Sequence, residues 1–298
     1  MDWRRRTILG ALGGILARSL HAQDNKRLHV KTIPASGKTL PVIGLGTWQT
    51  FDVGASRDER GPLREVLKLL DGNVVDSSPM YGSSETVAGD LIAELGMRDK
   101  LFVATKVWTR GRAEGLQQIE TSFKRLRVEV MDLLQIHNLV DVATHTQTLA
   151  AMKSQKRVRY IGITHYTSSA YLDVERWLST GPYDFLQINY SLAEREAETR
   201  LLGLAKDRGV AVIANRPFAE GALFRQTKGK PLPAWAAELG IASWAQYFLK
   251  WIVSHPAVTC AIPGTGRPEH MRDNLAAGRG PLPDAAQRKR MAEYLSSL

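Results

Sequence analysis

The sequence lacks several features that define whole classes of proteins. Its one cysteine, Cys260, cannot form an internal disulfide, and its apolar surroundings predict a small buried core residue. No Cys/His spacing suggests zinc, so we expect no metal site. No complete Gly-x-Gly-x-x-Gly is present, since Gly44-Leu45-Gly46 lacks the third glycine, and a Rossmann domain is therefore disfavoured. No basic run is interleaved with aromatics, so nucleic acid is not expected as a partner.

What is present is the composition of an ordinary globular protein. The chain has 298 residues, of which 44% are hydrophobic and 23% are charged. That length can bury a large core, and one barrel domain commonly takes about 250 residues. The formal net charge is +10. Because the positive residues are mostly scattered, this charge suits an anionic nucleotide better than a nucleic acid.

The first 22 residues differ from the rest of the chain. Arg4-Arg5-Arg6 precedes an apolar stretch over residues 8–17, and a small-residue cleavage point follows Ala22. This form predicts a signal peptide of the twin-arginine type over residues 1–22 and a mature domain over 23–298. The alternative is a basic amphipathic helix on a cytoplasmic protein.

The signal interpretation carries three expectations. The protein is periplasmic and meets the twin-arginine export machinery transiently. The apolar stretch is too short to span a bilayer, so no stable membrane insertion is expected once the signal is removed. Residues 1–22 carry a net charge of +3, which leaves +7 on the mature chain.

Short apolar runs alternate with helical patterns after the signal. Residues 28–33 and 39–42 flank a Pro/Gly turn and predict a β-hairpin. Strands that alternate with helices indicate a parallel sheet with right-handed crossovers, and eight such units predict an α/β fold, a (β/α)₈ TIM barrel with an N-terminal hairpin. The predicted strands are 42–46, 73–77, 101–106, 131–137, 160–164, 185–189, 210–215 and 259–263. The predicted helices are 62–70, 85–95, 116–126, 146–153, 170–178, 196–207 and 243–254.

Three of the predicted strands end on side chains that can do chemistry. Asp76, Lys106 and His137 close the second, third and fourth strands, and Tyr81 follows the first of these by five residues. In a (β/α)₈ barrel the working residues project from the C-terminal ends of the strands. The fold therefore predicts that these four side chains meet at one mouth.

These residues belong to a series of motifs that resembles the aldo/keto reductases. The resemblance runs in order from about residue 28 to residue 277, nearly the whole mature chain. The motifs are Gly44-Leu45-Gly46-Thr47-Trp48, the stretch Asp76 to Gly82, Thr105-Lys106-Val107-Trp108, Asp132 to His137, Ile161-Gly162-Ile163-Thr164, Gln187-Ile188-Asn189-Tyr190-Ser191 and Ile262-Pro263-Gly264-Thr265.

The resemblance implies hydride transfer between a nicotinamide cofactor and the carbonyl group of a small aldehyde or ketone. Tyr81 would be the general acid in reduction and the base in oxidation. Lys106 would lower the pKa of the phenol, and Asp76 would hold Lys106 in place. His137 would donate a hydrogen bond to the substrate oxygen.

The resemblance also assigns cofactor residues by position. Thr164, His165 and Gln187 match residues that hold the nicotinamide, although members usually carry Asn where this chain has His165. Asn215 stands where an aromatic ring often stacks, so that contact is weaker or comes from Phe218. The positions that match the phosphate and adenine end are Gly264, Thr265, Gly266, Arg267, His270 and Asn274.

The phosphate end favours NADP(H), with NAD(H) as the alternative. A glycine-containing loop leads there into a helix with proline in its first turn, an arrangement whose free N–H groups favour a phosphate. Arg267 would pair with a 2′-phosphate. A lysine that is common at the Gly264 position is missing, and His270 replaces a common arginine.

Four side chains are predicted to form an apolar substrate pocket in the loops over the mouth. They are Trp48, Phe51, Met80 and Trp108. Two other functions stay open at this point, because a barrel does not dictate function. One is a nucleotide-binding sensor or accessory subunit with little turnover, and the other is a barrel hydrolase or lyase that uses Asp76 and His137.

Overall fold

The computed structural model describes residues 27–298. The predicted signal over residues 1–22 lies outside this range. Two sheets are present among the described residues. A two-stranded antiparallel hairpin comes first, and an eight-stranded parallel sheet follows it. Within residues 27–298, no helix combines the length and the apolar character that a bilayer crossing requires.

The strands follow the predicted order. In the eight-stranded sheet every neighbour in space is also the neighbour in sequence, from β3 to β10. Parallel bridges from Ile43 to Ala261 and from Gly46 to Gly264 close the ring between its first and last strands. The (β/α)₈ barrel is thereby confirmed. The strands are β1 Val30–Thr32, β2 Thr39–Pro41, β3 Leu45–Gly46, β4 Val74–Asp76, β5 Phe102–Val107, β6 Met131–His137, β7 Val158–Thr164, β8 Phe185–Asn189, β9 Ala211–Asn215 and β10 Val258–Ala261.

Helices cover the outside of the ring. Their buried faces and the outward faces of the strands form one continuous hydrophobic core. The helices are α1 Arg57–Leu67, α2 Ser84–Glu94, α3 Arg112–Leu126, α4 Val142–Ser154, α5 Tyr171–Thr180, α6 Leu201–Asp207, α7 Ala222–Gln226, α8 Trp244–Val253, α9 Pro268–Ala276 and α10 Ala285–Ser296.

The hairpin closes the N-terminal end of the barrel. Ile33 and Leu40 belong to the same buried cluster as the side chains inside the ring, among them Phe102 and Phe185. The hydroxyl groups of Ser36 and Tyr160 lie 2.6 Å apart and link the hairpin turn to the interior. Cys260 is fully buried in this cluster, as predicted. With this end filled, the open end of the barrel is the one where the strands finish.

The helices depart from the predictions in several places: α3 and α4 each begin four residues earlier than predicted, and the short helix α7 was not predicted. The helix predicted to start at Pro62 begins at Arg57, because the Ser56 hydroxyl accepts a bond from Glu59 N and caps it. The helix predicted over 196–207 is a 3₁₀ turn, Glu196–Glu198, followed by α6. The last helix, α10, was not predicted, although Asp284 and Gln287 form a capping box at its start.

Candidate active site

The three polar strand ends lie on neighbouring strands at the open end of the barrel. Asp76 is the last residue of β4, Lys106 lies one residue before the end of β5, and His137 is the last residue of β6. The register of the parallel pairs keeps these ends together. All three side chains are buried. The predicted convergence is therefore present in the structure.

Lys106 is the centre of the cluster. Its Nζ donates to Asp76 Oδ2 at 2.7 Å and to the carbonyl oxygen of Ser77 at 2.7 Å. The same nitrogen lies 4.9 Å from the centroid of the Tyr81 ring. A single ammonium group thus contacts a carboxylate on one side and the phenol on the other.

Burial and charge oppose each other in this cluster. Burial raises the pKa of Tyr81 above its usual 10, and the nearby Lys106 ammonium opposes that rise without cancelling it. Lys106 thus acts on the phenol pKa in the predicted direction, but burial, which the sequence did not reveal, outweighs it and the net shift is upward. Burial would lower the pKa of Lys106, but Asp76 and Tyr81 outweigh it, and the pKa is raised. Burial also raises the pKa of Asp76 against the pull of Lys106.

His137 lies at the edge of the phenol ring. The Tyr81 and His137 ring centroids are 5.8 Å apart with the planes nearly perpendicular, and Trp108 lies 6.4 Å from His137. Burial, with a smaller contribution from the Lys106 charge, lowers the pKa of His137 to about 2. The imidazole is therefore neutral at physiological pH and has one N–H to donate.

Two buried amides support Asp76 from within the barrel. Gln135 Nε2 donates to Gln187 Oε1 at 2.7 Å and to Asp76 Oδ1 at 3.4 Å. Gln187 Nε2 donates to Asp76 Oδ2 at 3.3 Å. Both oxygens of the carboxylate thus accept hydrogen bonds, which fixes its orientation toward Lys106.

The loop that carries Tyr81 is fixed by Asp52. Its carboxylate accepts from the backbone N–H and the hydroxyl of Ser83, each at 2.8 Å. Gly82, which lies between Tyr81 and Ser83 in the sequence, has φ of +59°, and a side chain there would clash with the Asp52 carboxylate. A glycine directly after Tyr81 is therefore a geometric requirement of this loop.

A cleft of about 590 Å³ opens above the cluster. Asp76, Tyr81 and His137 line its floor, and Trp48, Met80 and Trp108 lie around it. These three side chains are each about 40% exposed, in agreement with a role at the mouth of the pocket.

Phe51 departs from the prediction for the pocket. It is fully buried in the outer core and is not part of the cleft lining. A turn with Gln49 at φ of +59° precedes it, and Phe51 N bonds back to the carbonyl oxygen of Thr47. The chain thereby folds back on itself, and Phe51 packs in the core instead of joining the other three side chains.

The residues expected around a nicotinamide are only partly brought together. Thr164, Gln187, Asn215 and Phe218 line the cleft. His165 does not, since its ring stacks on Tyr166 with the planes 2° apart. Its carbonyl oxygen accepts a bond from Asn215 Nδ2 at 3.2 Å, so the backbone of His165 positions Asn215.

The residues expected at the phosphate end lie along α9 and in the loop that precedes it. Gly264 lines the cleft, whereas Thr265, Gly266, Arg267, His270 and Asn274 are not among its lining residues. Pro268 occupies the first turn of the helix, as predicted. The Arg267 guanidinium is exposed and pairs with Glu269 at 2.6 Å.

Two polar residues stand out among the cleft residues that were not singled out from the sequence. Tyr166 and Arg216 both line the cleft, and Arg216 Nη1 donates to the carbonyl oxygen of Tyr166 at 3.1 Å. The Arg216 guanidinium also pairs with Glu194 at 3.4 Å and Glu220 at 3.7 Å. Arg216 has φ of +50°, an uncommon backbone conformation for such a residue. The sequence feature that could have identified Arg216 is its position directly after the end of β9, where barrel strands deliver residues to the mouth.

A larger depression, of about 940 Å³, lies outside the barrel beside α8 and α10. Its charged groups satisfy one another. Glu198 accepts from Arg195 at 2.7 Å and from Arg288 at 3.3 Å. The cleft at the strand ends is therefore the candidate active site.

Known proteins resemble this chain in sequence and in fold. The model of the aldo/keto reductase family matches residues 42–292. Methylglyoxal reductase YeaE of Escherichia coli is 31% identical over 261 residues, which cover 83% of this chain and 88% of that protein. Aldo-keto reductase YhdN of Bacillus subtilis is 28% identical over 199 residues, 61% of this chain, and the match spans only 59% of that relative's length.

Solved structures show the same architecture. The crystal structure of an aldo-keto reductase from Klebsiella pneumoniae in complex with NADPH superposes with a TM-score of 0.75. It is 25% identical in sequence, and the match covers 90% of this chain and 96% of that one.

Proposed function

The chain belongs to the aldo/keto reductase family, and from that premise we propose that it is an NADP(H)-dependent oxidoreductase that reduces aldehydes or ketones to alcohols. One observation carries the proposal. The buried Lys106 ammonium lies between the Asp76 carboxylate and the Tyr81 phenol at the floor of the cleft. A phenol next to a fixed cation is equipped to give up a proton inside the cleft.

Each member of the tetrad has a distinct role in this proposal. Tyr81 gives its proton to the substrate oxygen, and Lys106 stabilises the phenolate that remains. Asp76 holds Lys106 in position at 2.7 Å. His137, which is neutral, donates an N–H to the same substrate oxygen and orients it toward Tyr81.

The cleft offers unpaired polar groups that suit a nicotinamide nucleotide. The carboxamide oxygen of Asn215 and Nε of Arg216 are buried and have no hydrogen-bond partner among the described residues. Both residues line the cleft beside Thr164 and Gln187. Thr164, Gln187 and Asn215 would hold the nicotinamide end, and Phe218 would supply an aromatic contact. When bound, the reduced cofactor supplies the hydride that a carbonyl carbon requires.

The other end of the cofactor is assigned to the start of α9. Free N–H groups at a helix N-terminus attract phosphate. Arg267 is exposed there, and we assign it to a 2′-phosphate, which makes NADP(H) the preferred cofactor over NAD(H). The NADPH complex of the Klebsiella pneumoniae relative supports this preference.

The substrate is proposed to be a small carbonyl compound with an apolar part. Trp48, Met80 and Trp108 surround the mouth of the cleft and offer apolar and aromatic surface. The Escherichia coli relative is named for its reduction of methylglyoxal. A panel that runs from methylglyoxal to aromatic aldehydes therefore brackets the range of sizes.

A titration followed by turnover assays tests the function. NADPH is added to the purified protein and its fluorescence is followed, and the carbonyl panel is then added while NADPH consumption is measured. Binding with turnover is the expected result. Binding without turnover for any carbonyl would instead favour a nucleotide-binding sensor, and absence of binding would favour a hydrolase or lyase on the same barrel.

For the location we propose export to the periplasm, with residues 1–22 as the signal and 23–298 as the mature reductase domain. The proposal is supported by the order of a basic start, an apolar stretch and a small-residue cleavage point. The twin-arginine machinery would be a transient partner, and the mature protein would make no stable membrane insertion.

A further inference from the structure

Ser78 makes a contact that the tetrad alone does not explain. Its side chain is fully buried, and its Oγ lies 3.0 Å from Nδ1 of His137. The backbone N–H of Met80 donates to the same Oγ at 3.3 Å. These two groups are the hydrogen-bond partners of the Ser78 hydroxyl among the described residues.

The direction of the Ser78–His137 bond follows from counting donors and acceptors. The N–H of Met80 can only donate, so it uses an acceptor site of Oγ. If Nδ1 of His137 also carried a hydrogen, the hydroxyl would accept twice and its own proton would have no acceptor in a buried site. That arrangement leaves an unsatisfied buried donor, which is costly. The hydroxyl therefore donates to Nδ1, and Nδ1 is the unprotonated nitrogen.

This direction fixes the other ring nitrogen. A neutral imidazole carries one hydrogen, so an accepting Nδ1 places that hydrogen on Nε2. Nε2 has no hydrogen-bond partner within residues 27–298, and it is not among their buried unpaired atoms. His137 lines the cleft. The N–H is thus available to a carbonyl oxygen, whereas the opposite tautomer would offer that oxygen a lone pair.

We propose that Ser78 is a positioning residue that sets the tautomer of His137, so that Nε2–H faces the substrate. The expected effect of Ser78 on kcat rests on the proposed reductase function, whereas its effect on the tautomer of His137 does not. Ser78 does not touch the substrate in this account. It acts through His137, in the way that the outer partner of a metal-bound or catalytic histidine fixes the ring.

Nitrogen NMR tests the tautomer directly in the full chain. The protein is labelled with ¹⁵N-histidine, and the ring signals of His137 are assigned by their loss in His137→Gln. We expect Nδ1 to be unprotonated and Nε2 to be protonated near neutral pH. In Ser78→Ala we expect a population with hydrogen on Nδ1 to appear. A wild-type ring with hydrogen on Nδ1 would overturn the proposal, whatever the activity.

Kinetics supply the second readout. With NADPH and a carbonyl that the wild type reduces, Ser78→Ala is expected to lower kcat about tenfold, the worth of one hydrogen bond, while the Kd of NADPH is unchanged. Ser122→Ala is the matched control. It deletes another fully buried serine hydroxyl, on α3, that has no partner in the described part of the chain.

The two readouts separate this inference from the proposed function. Equal kcat values for Ser78→Ala and wild type, with identical ring signals, would overturn the role of Ser78 and leave the reductase intact. A wild type that reduces no carbonyl would overturn the proposed function, and the NMR spectra would still decide the tautomer.

Discussion

Lys106 Nζ lies 2.7 Å from Asp76 Oδ2, and both side chains are almost completely excluded from solvent. Two buried opposite charges depend on each other, because removal of one leaves the other without compensation. Breaking such a pair from one side typically costs about 3–5 kcal/mol. The Lys106 ammonium, to which we assign a catalytic role, is therefore also expected to stabilise the barrel mouth.

This dependence predicts the effect of Lys106→Met. The substitution should abolish measurable reduction and lower the free energy of unfolding by about 3–5 kcal/mol, measured by urea denaturation. The double variant Lys106→Met/Asp76→Leu should recover much of that stability but no activity. Lys68→Met, which removes an exposed lysine paired with Glu65, is the control and should match wild type. A Lys106→Met protein as stable as wild type would contradict the mutual dependence of Lys106 and Asp76.

The pH dependence of reduction follows from two perturbed groups. Burial raises the pKa of the Tyr81 phenol, and reduction requires the protonated phenol, so activity should be lost only as pH rises through a value above the usual 10. The pKa of His137 is about 2, so the imidazole stays neutral through the acid range of the assay. The profile of kcat/KM for the reduction should therefore be flat from about pH 6 to about pH 9.

The measurement is kcat/KM for NADPH-driven reduction across that range in buffers of constant ionic strength. A fall centred between pH 6 and 8 would show that a group other than these two controls the reaction. If this fall in kcat/KM disappeared in His137→Gln, the imidazole would be the group that titrates in the neutral range. That result would contradict burial as the dominant effect on the pKa of His137.

Much of the site could be predicted from the sequence because it sits on strand ends. Asp76, Lys106 and His137 each close an apolar run, and parallel strands in a closed ring bring their C-terminal ends to one mouth whatever the details of the loops. The predicted bounds of β6 and β8 match the structure to the residue. The alternation of strands and helices in the sequence was therefore sufficient to place these three residues at one mouth.

Loop residues could not be predicted in the same way, because their positions depend on backbone angles that composition does not reveal. Phe51 turns into the core after Gln49 adopts a positive φ, and Arg216 reaches the cleft from a positive φ of its own. His165 was expected at the nicotinamide, but the turn after β7 presents Tyr166 to the cleft instead. The net rise in the pKa of Tyr81 could not be predicted for a related reason, since burial, which outweighs the effect of Lys106, depends on the complete packing around the phenol.

Arg267 provides a test of the cofactor preference. Arg267→Ala should weaken NADPH binding about tenfold, the worth of a charge-assisted hydrogen bond, and leave NADH binding unchanged. The Kd of each nucleotide is measured by fluorescence titration. Arg272→Ala, another exposed arginine on α9, is the control for loss of one positive charge. If Arg267→Ala weakened the binding of NADPH and of NADH by the same factor, the assignment of Arg267 to the 2′-phosphate would be wrong.

Export is tested by exchange of arginine for lysine in the first residues. Replacement of Arg4, Arg5 and Arg6 by lysine keeps the positive charge but removes the paired arginines that the twin-arginine route reads. The wild-type protein should appear in the periplasmic fraction, and the lysine variant should remain in the cytoplasm. Export of both proteins would point to a general secretory signal, and retention of both would favour a cytoplasmic enzyme.

The most direct test of the whole account is Tyr81→Phe, which removes one hydroxyl and keeps the ring. Saturating kcat for carbonyl reduction and the Kd of NADPH are measured on the same preparation, with Tyr183→Phe as a control for loss of a phenol hydroxyl away from the cleft. The account predicts that kcat falls by about 10² to 10⁴ while the Kd is unchanged. A Tyr81→Phe protein that reduces carbonyls at the wild-type rate would contradict the assignment of Tyr81 as the proton donor.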